Sequence, residues 1–142
     1  MKTSARNEYS GTVRSVVPGA VSSEVVLDIG GDFLLTAVVT NESVGDLGLK
    51  PGSAAMALIN PSALVVMPEN SGLKTSARNC LHGSVAWHDS GTISGEVVMK
   101  LDSGQEMVAI LTGESIGGLG LQTGSRICAL IKSSQVILAV RT

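Results

Sequence analysis

KTSARN, residues 2–7, returns without alteration as residues 74–79. Sliding the chain on itself by this offset lays Lys2–Asn70 over Lys74–Thr142 without a gap. About 27 of the 69 aligned positions are then identical. A self-match of this length is a duplicated domain, not a short solenoid unit. The expected organisation is therefore a first domain over 1–68, a turn-rich linker over 69–73 and a second domain over 74–142.

Composition bounds what the copies can be. The chain has 142 residues, a net charge of −2, 44% hydrophobic residues and 15% charged ones. That suits a packed globular protein and not a disordered one. Tyr9, Phe33 and Trp87 are the only aromatics, so the core is built from aliphatic residues. A copy of about 70 residues buries little surface alone, which predicts a homo-oligomer. The longest apolar run, near Ala54–Val66, is interrupted by Asn60-Pro61-Ser62 and is too short to span a bilayer. No secretory h-region follows Met1, so a cytoplasmic location is expected. Cys80 and Cys128 make no C-x-x-C motif and read as free thiols.

Each copy reads as all-β. Strands are expected over Ser10–Val17, Val21–Ile29, Phe33–Val39, Ala54–Ile59 and Ala63–Met67, punctuated by Pro18-Gly19, Gly30-Gly31-Asp32 and Lys50-Pro51-Gly52. Thr40 or Asn41 can cap a short helical turn carrying Glu42. Two tandem OB-like, five-stranded Greek-key barrels, each with one helical turn, fit this inventory. An SH3-like barrel fits almost as well.

Comparing the copies separates what is kept from what has drifted. Gly11/Gly83, Thr40/Thr112, Glu42/Glu114, Ser43/Ser115 and the Leu-Gly-Leu at 47–49 and 119–121 are kept. No histidine or cysteine is: Glu8 stands opposite Cys80, Ser10 opposite His82, Val16 opposite His88 and Met56 opposite Cys128. A transition-metal site or a Ser/Cys–His catalytic site common to both copies lacks its ligands. The expectation is no enzyme and no cation site, with His82 and His88 on the surface of the second copy's first strand.

The hexapeptide instead concentrates hydrogen-bond donors. It carries two hydroxyls, a guanidinium, an ammonium and an amide, with no carboxylate. Several neutral donors with one or two cations suit an oxyanion. Thr40 and Ser43 form a second donor set at a helix start. A structural reading stands beside this one, in which the segment leads into a strand and Arg6 pairs with Glu24 or Glu42.

KTSARNEYSGTV and KTSARNCLHGSV, with AVVTNESVGDLGLKPGS and AILTGESIGGLGLQTGS, resemble the Mop or TOBE domain family. The fused pair resembles the di-Mop molybdate-binding proteins over essentially the whole chain. The resemblance implies binding of molybdate, or tungstate, as the free oxyanion at domain and subunit interfaces. It also implies a homotrimer and a role in intracellular molybdenum storage or homeostasis. By that resemblance Ser4, Ala5 and Arg6, and Ser76, Ala77 and Arg78, line the anion site. Thr40 and Thr112 contribute from a neighbouring domain, and Lys132 and Ser133 complete it; Ser43 and Ser115, at the helix starts, are counted among the donors on their own chemistry. The first copy departs from this pattern, with Asn60 and Pro61 where the second has Lys132 and Ser133.

Molybdate is a dianion that only accepts hydrogen bonds, so it needs donors on all sides and shielding from water. The alternative is a structural or regulatory oligomeric module that senses tungstate or sulfate, or binds nucleic acid. Nucleic acid calls for a basic groove with stacking aromatics, and this acidic, aromatic-poor chain argues against it. Nucleic-acid and membrane partners are therefore not expected. No Walker motif and no helix-turn-helix pattern is visible.

Overall fold

The computed structural model describes residues 3–91 and 93–142; Lys2 of the first hexapeptide lies outside them. In chain order the elements are β1 (Asn7–Pro18), β2 (Ser22–Gly30), β3 (Phe33–Thr40), α1 (Asn41–Leu47), β4 (Ala54–Ile59) and β5 (Val65–Pro68). The second copy follows with β6 (Asn79–Ser90), β7 (Ser94–Leu101), β8 (Glu106–Thr112), α2 (Gly113–Leu119), β9 (Arg126–Ile131) and β10 (Ile137–Ala139). The all-β reading holds, with two five-stranded antiparallel sheets ordered β10-β4-β1-β2-β3 and β5-β9-β6-β7-β8. Among the described residues no helix is long and apolar enough to cross a membrane.

Two strand starts differ from expectation by more than one residue. The first strand starts at Asn7 rather than Ser10, because Asn7, Glu8 and Tyr9 already pair with Ile59, Leu58 and Ala57 of β4. The fifth strand starts at Val65 rather than Ala63, because Pro61–Ala63 form a 3₁₀ turn. A proline with fixed φ and no N–H starts such a turn readily and cannot donate to a ladder.

The sequence repeats and the compact units do not share boundaries. One unit comprises Met1–Asn60 and Lys132–Thr142, the other Pro61–Ile131. The copies exchange their last strands: β10 pairs with β4, and β5 pairs with β9. The chain passes from one unit to the other at Asn60–Pro61 and again at Ile131–Lys132. Each exchanged strand brings a buried side chain, Leu138 to the first unit and Val66 to the second. Burial of one such residue stabilises by roughly 1.5–3 kcal/mol.

Within the first unit, burial alternates along β2, with Ser23, Val25 and Leu27 inward, as a strand with one packed face requires. Phe33, Leu35 and Ile59 are buried with them, and Tyr9 stands edge-on to Phe33 at 5.3 Å. The second unit repeats the plan with Val85, Val97, Met99, Met107 and Ile127. Gly11 and Gly83 are kept for space: a Cβ at Gly11 would sit 2.4 Å from the Asp28 carbonyl oxygen, and one at Gly83 2.3 Å from that of Lys100.

Candidate oxyanion site

The threonine of each hexapeptide shapes the backbone. Thr3 Oγ1 accepts the Ala5 N–H at 3.2 Å, and Thr75 Oγ1 accepts the Ala77 N–H at 3.3 Å, the local turn that hydroxyl residues favour. The two alanine N–H groups thus already have internal partners. In the first copy Glu8 adds a clamp, its Oε2 accepting from the Thr3 hydroxyl at 2.7 Å and the Thr3 N–H at 2.9 Å. Cys80 stands at that place in the second copy and offers no carboxylate. Arg6 adopts the left-handed conformation, φ 70°, uncommon for a side chain of this size.

The last residue of the motif is structural. Asn7 and Asn79 are buried, and the Asn79 amide donates to the Ile131 carbonyl at 3.3 Å. Asn7 pairs in register with Ile59, and Asn79 with Ile131. Each ladder therefore sets the end of the hexapeptide beside the residue that precedes Asn60 or Lys132. In the first unit this brings Arg6 and Asn60 to the same end of the sheet.

The threonine–serine pairs do capping work. Thr40 Oγ1 accepts the Ser43 N–H at 3.1 Å and donates to Ser43 Oγ at 2.9 Å. Thr112 and Ser115 repeat this at 3.0 and 2.8 Å. Gly48 and Gly120 close the helices in the left-handed conformation, φ 63° in both. Thr40 is settled as the N-cap, with Asn41 instead donating to the Gly19 carbonyl.

The predicted donors fall into separate groups. Thr40 pairs with Ser22, beside the hairpin that ends β1, whereas Ser4 and Arg6 precede its start. The 12 residues of β1 lie between, on the order of 30–40 Å of strand contour. The Thr40 hydroxyl is engaged with Ser43 rather than with the hexapeptide. Ser4, Arg6, Thr40, Asn60, Ser76, Arg78, Thr112, Ser115 and Lys132 are exposed, while Ala5, Ser43, Ala77 and Ser133 are half-buried. A groove of about 620 Å³ in the first unit is lined by Thr3, Met56, Leu58 and Arg141 among others. Another of about 440 Å³ in the second unit is lined by Glu69, Leu119 and Arg126. Neither gathers the donors.

The linker carries an ion-pair network that sequence reading missed. Arg126 donates to both carboxylate oxygens of Asp102 at 2.7 Å and to Glu69 Oε2 at 2.8 Å. Those bonds hold the Asp102 and Glu69 carboxyls below their usual range. His82 and His88 both lie on β6; His82 is exposed, as expected, with its Nδ1 3.1 Å from Glu69 Oε2, whereas His88 is half-buried with its Nδ1 enclosed. No pattern in the linear sequence joins residues 69, 102 and 126.

Comparison with known proteins adds to this geometry. The TOBE domain matches twice, over residues 3–66 and 75–138. A solved structure of the cytoplasmic molybdate-binding protein ModG, with molybdate bound, superposes with a TM-score of 0.94 at 40% identity. The match covers 99% of this chain and 100% of that one. The molybdenum transport protein ModE of Herbaspirillum seropedicae is 37% identical over 141 residues, 99% of this chain and 52% of ModE. The molybdenum-pterin-binding protein MopA of Rhodobacter capsulatus is 38% identical over 140 residues, 99% of this chain and 53% of MopA. The chain thus spans about half the length of these two relatives.

Proposed function

Because the chain belongs to the TOBE domain family, whose domain it carries twice, we propose that it binds molybdate as a free oxyanion and serves in molybdenum storage or homeostasis. The observation that supports this most is the superposition over the full chain on a protein solved with molybdate bound. The kept donor residues give the reading its chemistry. Ser4 and Arg6, and Ser76 and Arg78, supply a hydroxyl and a guanidinium, and Lys132 with Ser133 add an ammonium and a second hydroxyl.

On this reading Ser4 and Thr40, which lie before and after the 12 residues of β1, meet the anion from different copies of the chain. A dianion held by exposed donors of one unit stays in contact with water, where hydrogen bonds to it gain little. A second copy of the chain, bringing its Thr40 or Thr112 end to another copy's hexapeptide, closes the site and excludes water. The expected assembly is a homotrimer, and the protein acts by binding rather than by catalysis. Tungstate, of the same charge and shape, is accepted as well, and sulfate is discriminated by its smaller size.

Equilibrium dialysis with labelled molybdate in the presence of excess sulfate tests binding, and sedimentation velocity tests assembly. The reading expects saturable uptake by an oligomer. A stable monomer at micromolar concentration contradicts the shared sites, and uptake abolished by sulfate contradicts the assigned ligand.

A further inference from the structure

The corner of the second sheet around Cys80 has chemistry that anion binding does not use. Cys80 and His82 are two residues apart on β6 and so share a face. His82 is the register partner of Cys128 on β9, and Met67 of β5 is the partner of Cys128 on its other side. One donor atom from each of Cys80, His82 and Cys128 lies within 4.8 Å of the other two. Cys128 Sγ is 3.2 Å from His82 Nδ1, and Cys80 Sγ is 4.0 Å from His82 Nε2. Glu69 Oε2 lies 3.1 Å from the same Nδ1.

These spacings approach those of a tetrahedral thiolate–imidazole site. Zn–S bonds of about 2.3 Å and Zn–N bonds of about 2.0–2.1 Å place neighbouring donor atoms roughly 3.3–3.8 Å apart. The Cys128 and Glu69 contacts to Nδ1 fall close to that range. Cys80 is exposed, so rotation between staggered χ1 wells is open to it for bringing Sγ round to the Nδ1 side. A disulfide fits less well. Cys80 faces Leu130 and not Cys128, and such diagonal residues are about 7–8 Å apart, beyond the usual reach of a bridge.

We propose that Cys80, His82 and Cys128 bind one Zn²⁺, with the Glu69 carboxylate as the fourth ligand. Both thiols ionise, so uptake of the ion releases two protons to solvent. Two thiolates and a carboxylate around Zn²⁺ leave one net negative charge, which the Arg126 guanidinium at Glu69 offsets. The site belongs to the second copy alone, since Glu8, Ser10 and Met56 occupy the matching positions of the first. It stands independently of the molybdate reading. Burial, with the neighbouring Cys80, pushes the Cys128 thiol up to about 11, so the ion must displace a firmly held proton.

The test uses the full chain, stripped of metal and kept reduced. Zn²⁺ is titrated against a chromogenic chelator, and Co²⁺ serves as the spectroscopic probe. The expected result is one Zn²⁺ per chain, with a thiolate-to-cobalt charge-transfer band and the intense visible bands of a tetrahedral centre. Cys80→Ser and His82→Ala change exposed residues, so their fold is checked by circular dichroism. Each should lower Zn²⁺ affinity by about tenfold or more. Wild-type chain that takes up no more Zn²⁺ than these folded variants, or a pale octahedral cobalt spectrum, overturns the proposal.

Discussion

The Asn79 side chain donates to the Ile131 carbonyl across the β6–β9 ladder. That bond ties the end of one hexapeptide to the residue before Lys132. It makes the position of a proposed anion ligand depend on a buried amide engaged with the backbone. Asn79→Ala leaves the carbonyl without this donor and should cost about 1–3 kcal/mol of stability. Chemical denaturation measures the cost. Titration calorimetry on the folded fraction should show weaker molybdate binding, because the Lys132 segment has lost its tether.

Thr40 and Thr112 are expected to carry two separable roles. Thr40→Ala removes the cap on Ser43 and should destabilise by about 0.5–2 kcal/mol. Thr40→Ser keeps a hydroxyl that can cap and should restore most of that loss. If Thr40 also meets the anion of another copy, Thr40→Ala weakens molybdate binding at temperatures where the variant is fully folded. Denaturation and calorimetry on both variants separate cap from ligand.

The Lys132–Ser133 and Asn60–Pro61 segments should make two unequal classes of site. Lys132 offers a full charge to a dianion, and Asn60 only an amide dipole; Pro61 has no N–H to give. Sites using Lys132 should bind more tightly and lose more affinity as salt rises. Lys132→Asn should bring the two classes together. Identical sites in the parent chain, or affinities untouched by Lys132→Asn, contradict the assignment.

Much of this was legible in the sequence, for physical reasons. The apolar, β-branched run Val21–Ile29 ended by Gly30-Gly31-Asp32, and Thr40 ahead of Asn41-Glu42-Ser43, announce a strand and a capped turn locally. The duplication shows at once because both copies keep the residues that the backbone cannot replace, such as Gly11 and Gly83 where strands cross closely. The strand exchange is invisible for a matching reason. Val65–Pro68 and Ile137–Ala139 have equivalent patterns, and either would complete either sheet. The hexapeptide does lead into a strand, which starts at Asn7 and Asn79 in the two copies. The Cys80–His82–Cys128 cluster was missed because comparing copies finds only what both retain.

The Arg126 network should register in acid stability. The Glu69 and Asp102 carboxyls titrate lower in the folded chain than in the unfolded one. Their contribution is therefore present above the unfolded carboxylate range and is lost as pH falls through the folded values. Exposure of these groups keeps the effect small. Arg126→Met should flatten the loss of stability on acidification, read from thermal unfolding across a pH series. An unchanged slope would show that the network adds nothing.

The central claim rests on Arg6 and Arg78, which both copies keep two residues after the serines proposed to meet the anion. A charge-assisted hydrogen bond is worth roughly 1.5–3 kcal/mol, about tenfold or more in affinity. Titration calorimetry of molybdate into the Arg6→Ala/Arg78→Ala chain, with folding and assembly verified beforehand, is the most direct measurement. The account predicts saturable binding in the parent and at least a tenfold loss in the variant. A folded, assembled variant that takes up molybdate at the parent's affinity contradicts it.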